Sequence, residues 1–149
     1  MKYKLYSNLD MNLPVCLIDK DFLYEILSDF NGENELSRII ATCNKDPKES
    51  WIVKDKPLNI FDVPLLSTNL DNSLCINQGR HRICWMISQG MNDIPIAVSR
   101  SAMKLISGCG YPIIEEYDMP CSFLPTRADE SSSYNIKTIM SIFRKNRQN

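Results

Sequence analysis

Residues 83–87, ICWMI, are apolar on nearly every side of any helix they form. A helix of that kind has to be buried, so the rest of the chain must supply elements that cover it on all sides. Gly90 is placed to close it, and the DIPIAVS segment that follows is a short, β-rich run. Ahead of it, SLCI reads as another strand and NQG as a loop. The order strand, glycine loop, buried helix, strand over residues 74–98 points to an α/β (α+β) domain.

The other segments agree with that reading. Asp19 is a plausible N-cap for a helix over 19–32, with Phe22, Leu23, Ile26, Leu27 and Phe30 on one face and Gly32 as its stop. A second amphipathic helix is expected over 33–43, from Leu36, Ile39, Ile40 and Cys43, before Pro47. KYKLY, WIVKD and LNIFDVPLL read as strands. Ser99 or Ser101 can cap a short helix with Ala102, Met103, Leu105 and Ile106 inside and Gly108 as its stop. Residues 111–133 look irregular or edge-like, and a basic C-terminal helix is expected at about 134–147. There is no repeat and no linker, so residues 1–149 read as one domain.

Composition removes several classes of function. Seventeen Lys and Arg nearly balance eighteen Asp and Glu, so contact with nucleic acid or phosphate would come from a local patch and not from the overall field. No window approaches the roughly 18 apolar residues of a membrane span, and the first residues lack a secretory apolar core, so a cytoplasmic protein without membrane insertion is expected. The six cysteines, at 16, 43, 75, 84, 109 and 121, form no CxxC and no ligand-like set with the single histidine. They are expected to be buried small hydrophobes, and neither a zinc nor a haem site is expected.

Within residues 74–98 the turn Gly79-Arg80-His81-Arg82 opens the buried helix. Backbone N–H groups at a helix start are unpaired and partly positive, and a glycine admits an anion close to them. Cations in that turn oppose the helix dipole by roughly 0.3–1 kcal/mol unless something negative sits among them. A phosphate would meet the need: Arg80 and Arg82 as bidentate donors, His81 as donor or proton carrier, Asn77 and Gln78 as neutral donors at the rim. The arginines can instead pair with carboxylates such as Glu115, Glu116 or Asp118, with His81 a structural residue.

INQGRHRICWMISQGMNDIPIAV resembles the signature region of the ParB/sulfiredoxin superfamily, in which a strand runs into a G-x-H-R turn, a helix and a strand beginning Ile-Pro. The pattern N-x-G-R-H-R-x-x-W, then a glycine and I-P, is most similar to the Osa-like plasmid fertility-inhibition factor family. With the weaker strand LNIFDVPLL the resemblance covers residues 57–98. It implies a small mixed sheet flanked by helices, with Gly79, Arg80, His81 and Arg82 holding a nucleotide or phosphate. It also implies inhibition of conjugative DNA transfer, with ATPase or DNase activity attributed to the fold.

Two departures narrow this. Sulfiredoxins carry a reactive cysteine immediately before the His-Arg pair, and here that position is Arg80. Cys84 lies further along, inside the apolar run. A partition protein has a further DNA-binding domain, for which no segment is expected here. Two functions stay open. One is a nuclease or NTPase in which Arg80, His81 and Arg82 are catalytic, ATP or another nucleotide is bound, and Mg²⁺ takes weak ligands from Asp62, Glu115, Glu116 or Asp118. In the other, the chain binds DNA, the conjugative coupling ATPase or the relaxosome without cleavage, and Arg144, Lys145 and Arg147 add nonspecific phosphate contacts. Solvated surface is the simpler account of those carboxylates and of the basic cluster.

Overall fold

In a computed structural model of the chain the described residues are 1–28 and 47–119. The helix expected over 33–43, Phe30 and Gly32, and the basic helix with Arg144, Lys145 and Arg147 lie outside them. Strands β1 (Lys2–Tyr6) and β2 (Val15–Asp19) lead into helix α1 (Lys20–Ser28). After a short 3-10 turn come β3 (Ile52–Val53), β4 (Ile60–Asp62), β5 (Leu65–Thr68) and β6 (Leu74–Gln78). Helix α2 (Arg80–Ser88), β7 (Asp93–Val98) and α3 (Arg100–Ile106) follow, then the two short strands β8 (Ile113–Ile114) and β9 (Glu116–Asp118).

The strands make two mixed sheets where one was expected. One has the order β3-β4-β1-β9, with β1 and β4 parallel; the other has the order β6-β5-β7-β2-β8, with β5 and β7 parallel. The segment LNIFDVPLL reads as one apolar strand, but it breaks at Val63-Pro64 and serves both sheets. The Val63 amide donates to the Tyr6 carbonyl on β1, and the Pro64 carbonyl accepts from the Ala97 amide on β7, each at 2.9 Å. Proline has no N–H to continue a ladder, which makes this the natural place to change sheets. Residues 113–118 act likewise: β8 pairs with β2 and β9 with β1, so one short stretch forms an outermost described strand of each sheet.

Helix α2 is enclosed as its composition demands. Ile83, Cys84, Trp85 and Met86 are all within 1 % of full burial, and Trp85 meets Trp51 edge-on at 5.9 Å. Ile83 and Met86 each contribute about 1.5–3 kcal/mol of hydrophobic stabilisation. Gly90, in the left-handed region at φ 89°, closes the helix while its amide donates to the Ile87 carbonyl.

Helix starts and stops are partly as expected. The Asp19 carboxylate accepts from the Phe22 amide at 3.0 Å, and Ser99 Oγ from the Ala102 amide at 3.2 Å, so both caps form. In α3, Ala102 and Ile106 are buried but Leu105 is exposed, because a seven-residue helix lying on a sheet buries only a narrow stripe. The left-handed residue that ends this region is Gly110 and not Gly108, since a 3-10 turn over Ser107–Cys109 extends the helix first. Asn77 and Gln78 belong to β6; the loop contains Gly79 alone. Of the four described cysteines, Cys16 and Cys84 are buried, Cys75 is half-buried and Cys109 is exposed on the 3-10 turn.

Candidate functional site

Helix α2 starts without a side-chain cap. Its N-cap is Gly79, at φ 98° and ψ 24°, whose carbonyl accepts from the Ile83 amide at 3.0 Å. No acidic residue stands in the first turn, and the residues that do are Arg80, His81 and Arg82. A Cβ on Gly79 would lie 2.7 Å from both Cα and Cβ of Pro64 and 3.0 Å from the Arg82 guanidinium. Glycine is therefore required twice over, by its left-handed backbone and by Pro64 packed against it. Anion approach is not needed to explain it, which revises the reason inferred from the sequence.

These three residues do not act alike. Arg82 turns inward and is 5 % exposed, with its Nη1 2.8 Å from Asp62 Oδ2 and 2.5 Å from the Asp62 carbonyl oxygen. The second carboxylate oxygen of Asp62 accepts from the Asn8 amide at 2.9 Å. Burial pushes the Asp62 carboxyl up from its ordinary value, while the Arg82 charge and the Asn8 amide pull it back. Asp62 is thus a buried counter-ion and not a solvated surface group. Arg80 is half-buried, and His81 is exposed, as are Asn77 and Gln78 at the end of β6.

The Asp62–Arg82 pair locks three chain segments together. Asp62 is the last residue of β4, Asn8 follows the end of β1, and Arg82 lies in the first turn of α2. The carboxyl ends of two parallel strands therefore meet the amino end of a helix, an arrangement at which α/β proteins place ligands. Asn8 and Pro64 were not singled out by sequence reasoning. Their contribution is a backbone amide and a ring contact, neither of which leaves a pattern in residue types.

The remaining candidate carboxylates lie elsewhere. Glu116 is 3.5 Å from Lys2 and Asp118 is 2.9 Å from the N-terminal amine, both exposed pairs across the β1–β9 edge, and the Glu115 carbonyl accepts from the Leu5 amide. Among the described residues no group of three or more His, Cys, Asp or Glu is arranged to hold a metal ion. Nor is any helix among them long and apolar enough to cross a membrane.

The described residues form a small α+β unit of two mixed sheets and three helices, with an arginine-bearing helix start at the ends of two parallel strands. No family model, curated protein or solved structure matches this chain.

Proposed function

We propose that the 79–82 turn holds a phosphate group of a nucleotide or of a DNA backbone, in a protein of ParB/sulfiredoxin type that acts as a plasmid-encoded inhibitor of conjugative DNA transfer. The observation that carries the phosphate site is the first turn of α2. It has no acid and no side-chain cap, bears Arg80 and His81 on its outer side, and stands beside the carboxyl ends of β1 and β4. Helix dipole, first-turn amides and cationic side chains all favour an anion there. Inhibition of conjugation rests on the resemblance in residues 57–98 alone.

Within this reading Arg80 and His81 touch the phosphate, Asn77 and Gln78 supply neutral hydrogen bonds at its rim, and Arg82 fixes the turn from inside. In a DNase or ATPase, His81 would take a proton from water or give one to the leaving oxygen, with the arginines balancing developing charge; Mg²⁺ would add charge stabilisation, but no carboxylate cluster among the described residues is arranged to hold it. One observation favours the non-catalytic alternative. The Arg82 guanidinium is committed to Asp62 in the interior, so one of the three groups assigned to the transition state positions the turn instead. The chain then holds DNA or nucleotide and obstructs the relaxosome or the coupling ATPase.

A paired assay of wild type and His81→Ala, with Mg²⁺ and either plasmid DNA or ATP, decides between them. Turnover lost in the variant identifies an enzyme. Binding of nucleotide or DNA without turnover in the wild type identifies a holder. Absence of binding to either ligand by wild type ends the phosphate reading.

A further inference from the structure

The loop between β1 and β2 separates two clefts that share residues 12–14 as a common wall. The first, of about 440 Å³, is lined by Lys4, Tyr6 and Met11 on one side and Glu115 and Glu116 on the other. Its charges are largely balanced, because Lys4 pairs with Asp55 and Glu116 with Lys2. The second, of about 410 Å³, lies between the loop and α3. Leu13, Pro14, Val98 and Met103 give it an apolar lining, and Arg100 and Lys104 stand along it.

Arg100 and Lys104 are exposed, four residues apart and therefore on one side of α3, and neither makes an ion pair with a described residue. Two like charges at that spacing work against the helix, so an anion between them relieves a repulsion the fold otherwise carries. The walls are preformed. The Asn12 amide donates to Asp10 Oδ1 at 2.9 Å, the Pro14 carbonyl accepts from Val98 at 2.9 Å, and Ser99 caps α3. No residue of the 77–82 segment lines this cleft.

We infer that the cleft between residues 12–14 and α3 binds a small organic anion, an apolar body bearing one carboxylate, sulfonate or phosphate head. The body lies on Leu13, Pro14 and Met103, over the buried Val98, and the head is held by Arg100 and Lys104. The volume falls within the range of small-molecule sites, and an apolar lining with a few convergent polar groups is their usual make-up.

The test is fluorescence titration of the full chain with anilinonaphthalene sulfonate and, separately, with its uncharged parent phenylnaphthylamine. The expected result is one sulfonate probe per chain, with affinity at least about tenfold weaker in Arg100→Gln/Lys104→Gln, as loss of charge-assisted contacts implies. The uncharged probe should bind wild type and variant alike, and Met103→Asp should weaken both probes. Octanoate should displace the sulfonate probe at concentrations where inorganic phosphate does not. Equal sulfonate affinity in the double variant, several probes per chain, or displacement by phosphate as effective as by octanoate would each overturn the inference. Thermal melts of both variants show that the fold is intact, and His81→Ala should bind the probe like wild type.

Discussion

Helices α1 and α2 are each nine residues long and begin in opposite ways. At α1 the Asp19 carboxylate caps the Phe22 amide, Asp21 follows in the first turn, and the Tyr111 hydroxyl donates to the second Asp19 oxygen at 2.8 Å. At α2 a glycine replaces the cap, and Arg80, His81 and Arg82 fill the first turn. The first start is stabilised mainly by its own neighbours in sequence. The second breaks the local rules and is held from outside, by Asp62 and Pro64.

Breaking the external hold should have the largest effect. Asp62→Ala leaves a buried guanidinium without its counter-ion and should cost about 3–5 kcal/mol in a urea titration. Asp62→Leu combined with Arg82→Met should recover much of that loss, because it removes both desolvated charges at once. A double variant no better than Asp62→Ala would show that the pair contributes geometry that apolar packing cannot replace.

Next in size is the glycine. Gly79→Ala should cost about 1–2 kcal/mol for the left-handed backbone alone, and the overlap with Pro64 adds to it. Asn, which tolerates that backbone conformation, distinguishes the two contributions. Gly79→Asn should remain clearly destabilised if Pro64 is the obstacle, and should approach wild type if only φ matters.

The α1 cap comes third. Asp19→Ala should cost about 1 kcal/mol, and Asp19→Asn less, since Asn also caps. Burial works against the Asp19 carboxylate, but hydrogen bonds from the Phe22 amide and the Tyr111 hydroxyl outweigh it and hold its pKa below the ordinary value. A carboxyl whose pKa is lower in the folded chain stabilises the fold above its unfolded pKa, and that contribution is lost as pH falls through the folded pKa. The stability gap between wild type and Asp19→Asn should therefore narrow on acidification below about pH 4. A gap independent of pH would mean that the charge on Asp19 contributes nothing. The smallest change should come from His81→Ala at the outer side of α2, within about 0.5 kcal/mol, so that its effect on phosphate binding is read without loss of fold.

The same contrast explains how much could be read from residue types. The Asp19 and Ser99 caps and the enclosure of residues 83–86 were legible, because each is a relation within one turn of chain or a property of one run. The irregular or edge-like character expected over 111–133 was legible as far as residue 118, where β8 and β9 are outermost described strands. Sheet membership was not. Ile60, Phe61, Asp62, Val63, Leu65 and Leu66 are all buried, so a mostly apolar, continuously buried run conceals that its two halves serve different sheets. The inward turn of Arg82 was equally hidden, since its partner lies twenty residues earlier and Asp62 sits among apolar neighbours like any strand residue. The charge of the turn was visible, but the way that charge divides between interior and surface is a property of tertiary structure.

The strip formed by β8 and β9 gives the molecule a shared seam. It lies along β2 in one sheet and β1 in the other, and it also accepts from the Leu17 and Leu5 amides through Pro112 and Glu115. Were residues 112–118 to peel away, two rows of backbone hydrogen-bonding groups would be bared together, one on each sheet, along with the core under Ile114 and Tyr117. Bare strand edges recruit other strands. The first step of damage at that seam therefore leads toward self-association of the chain.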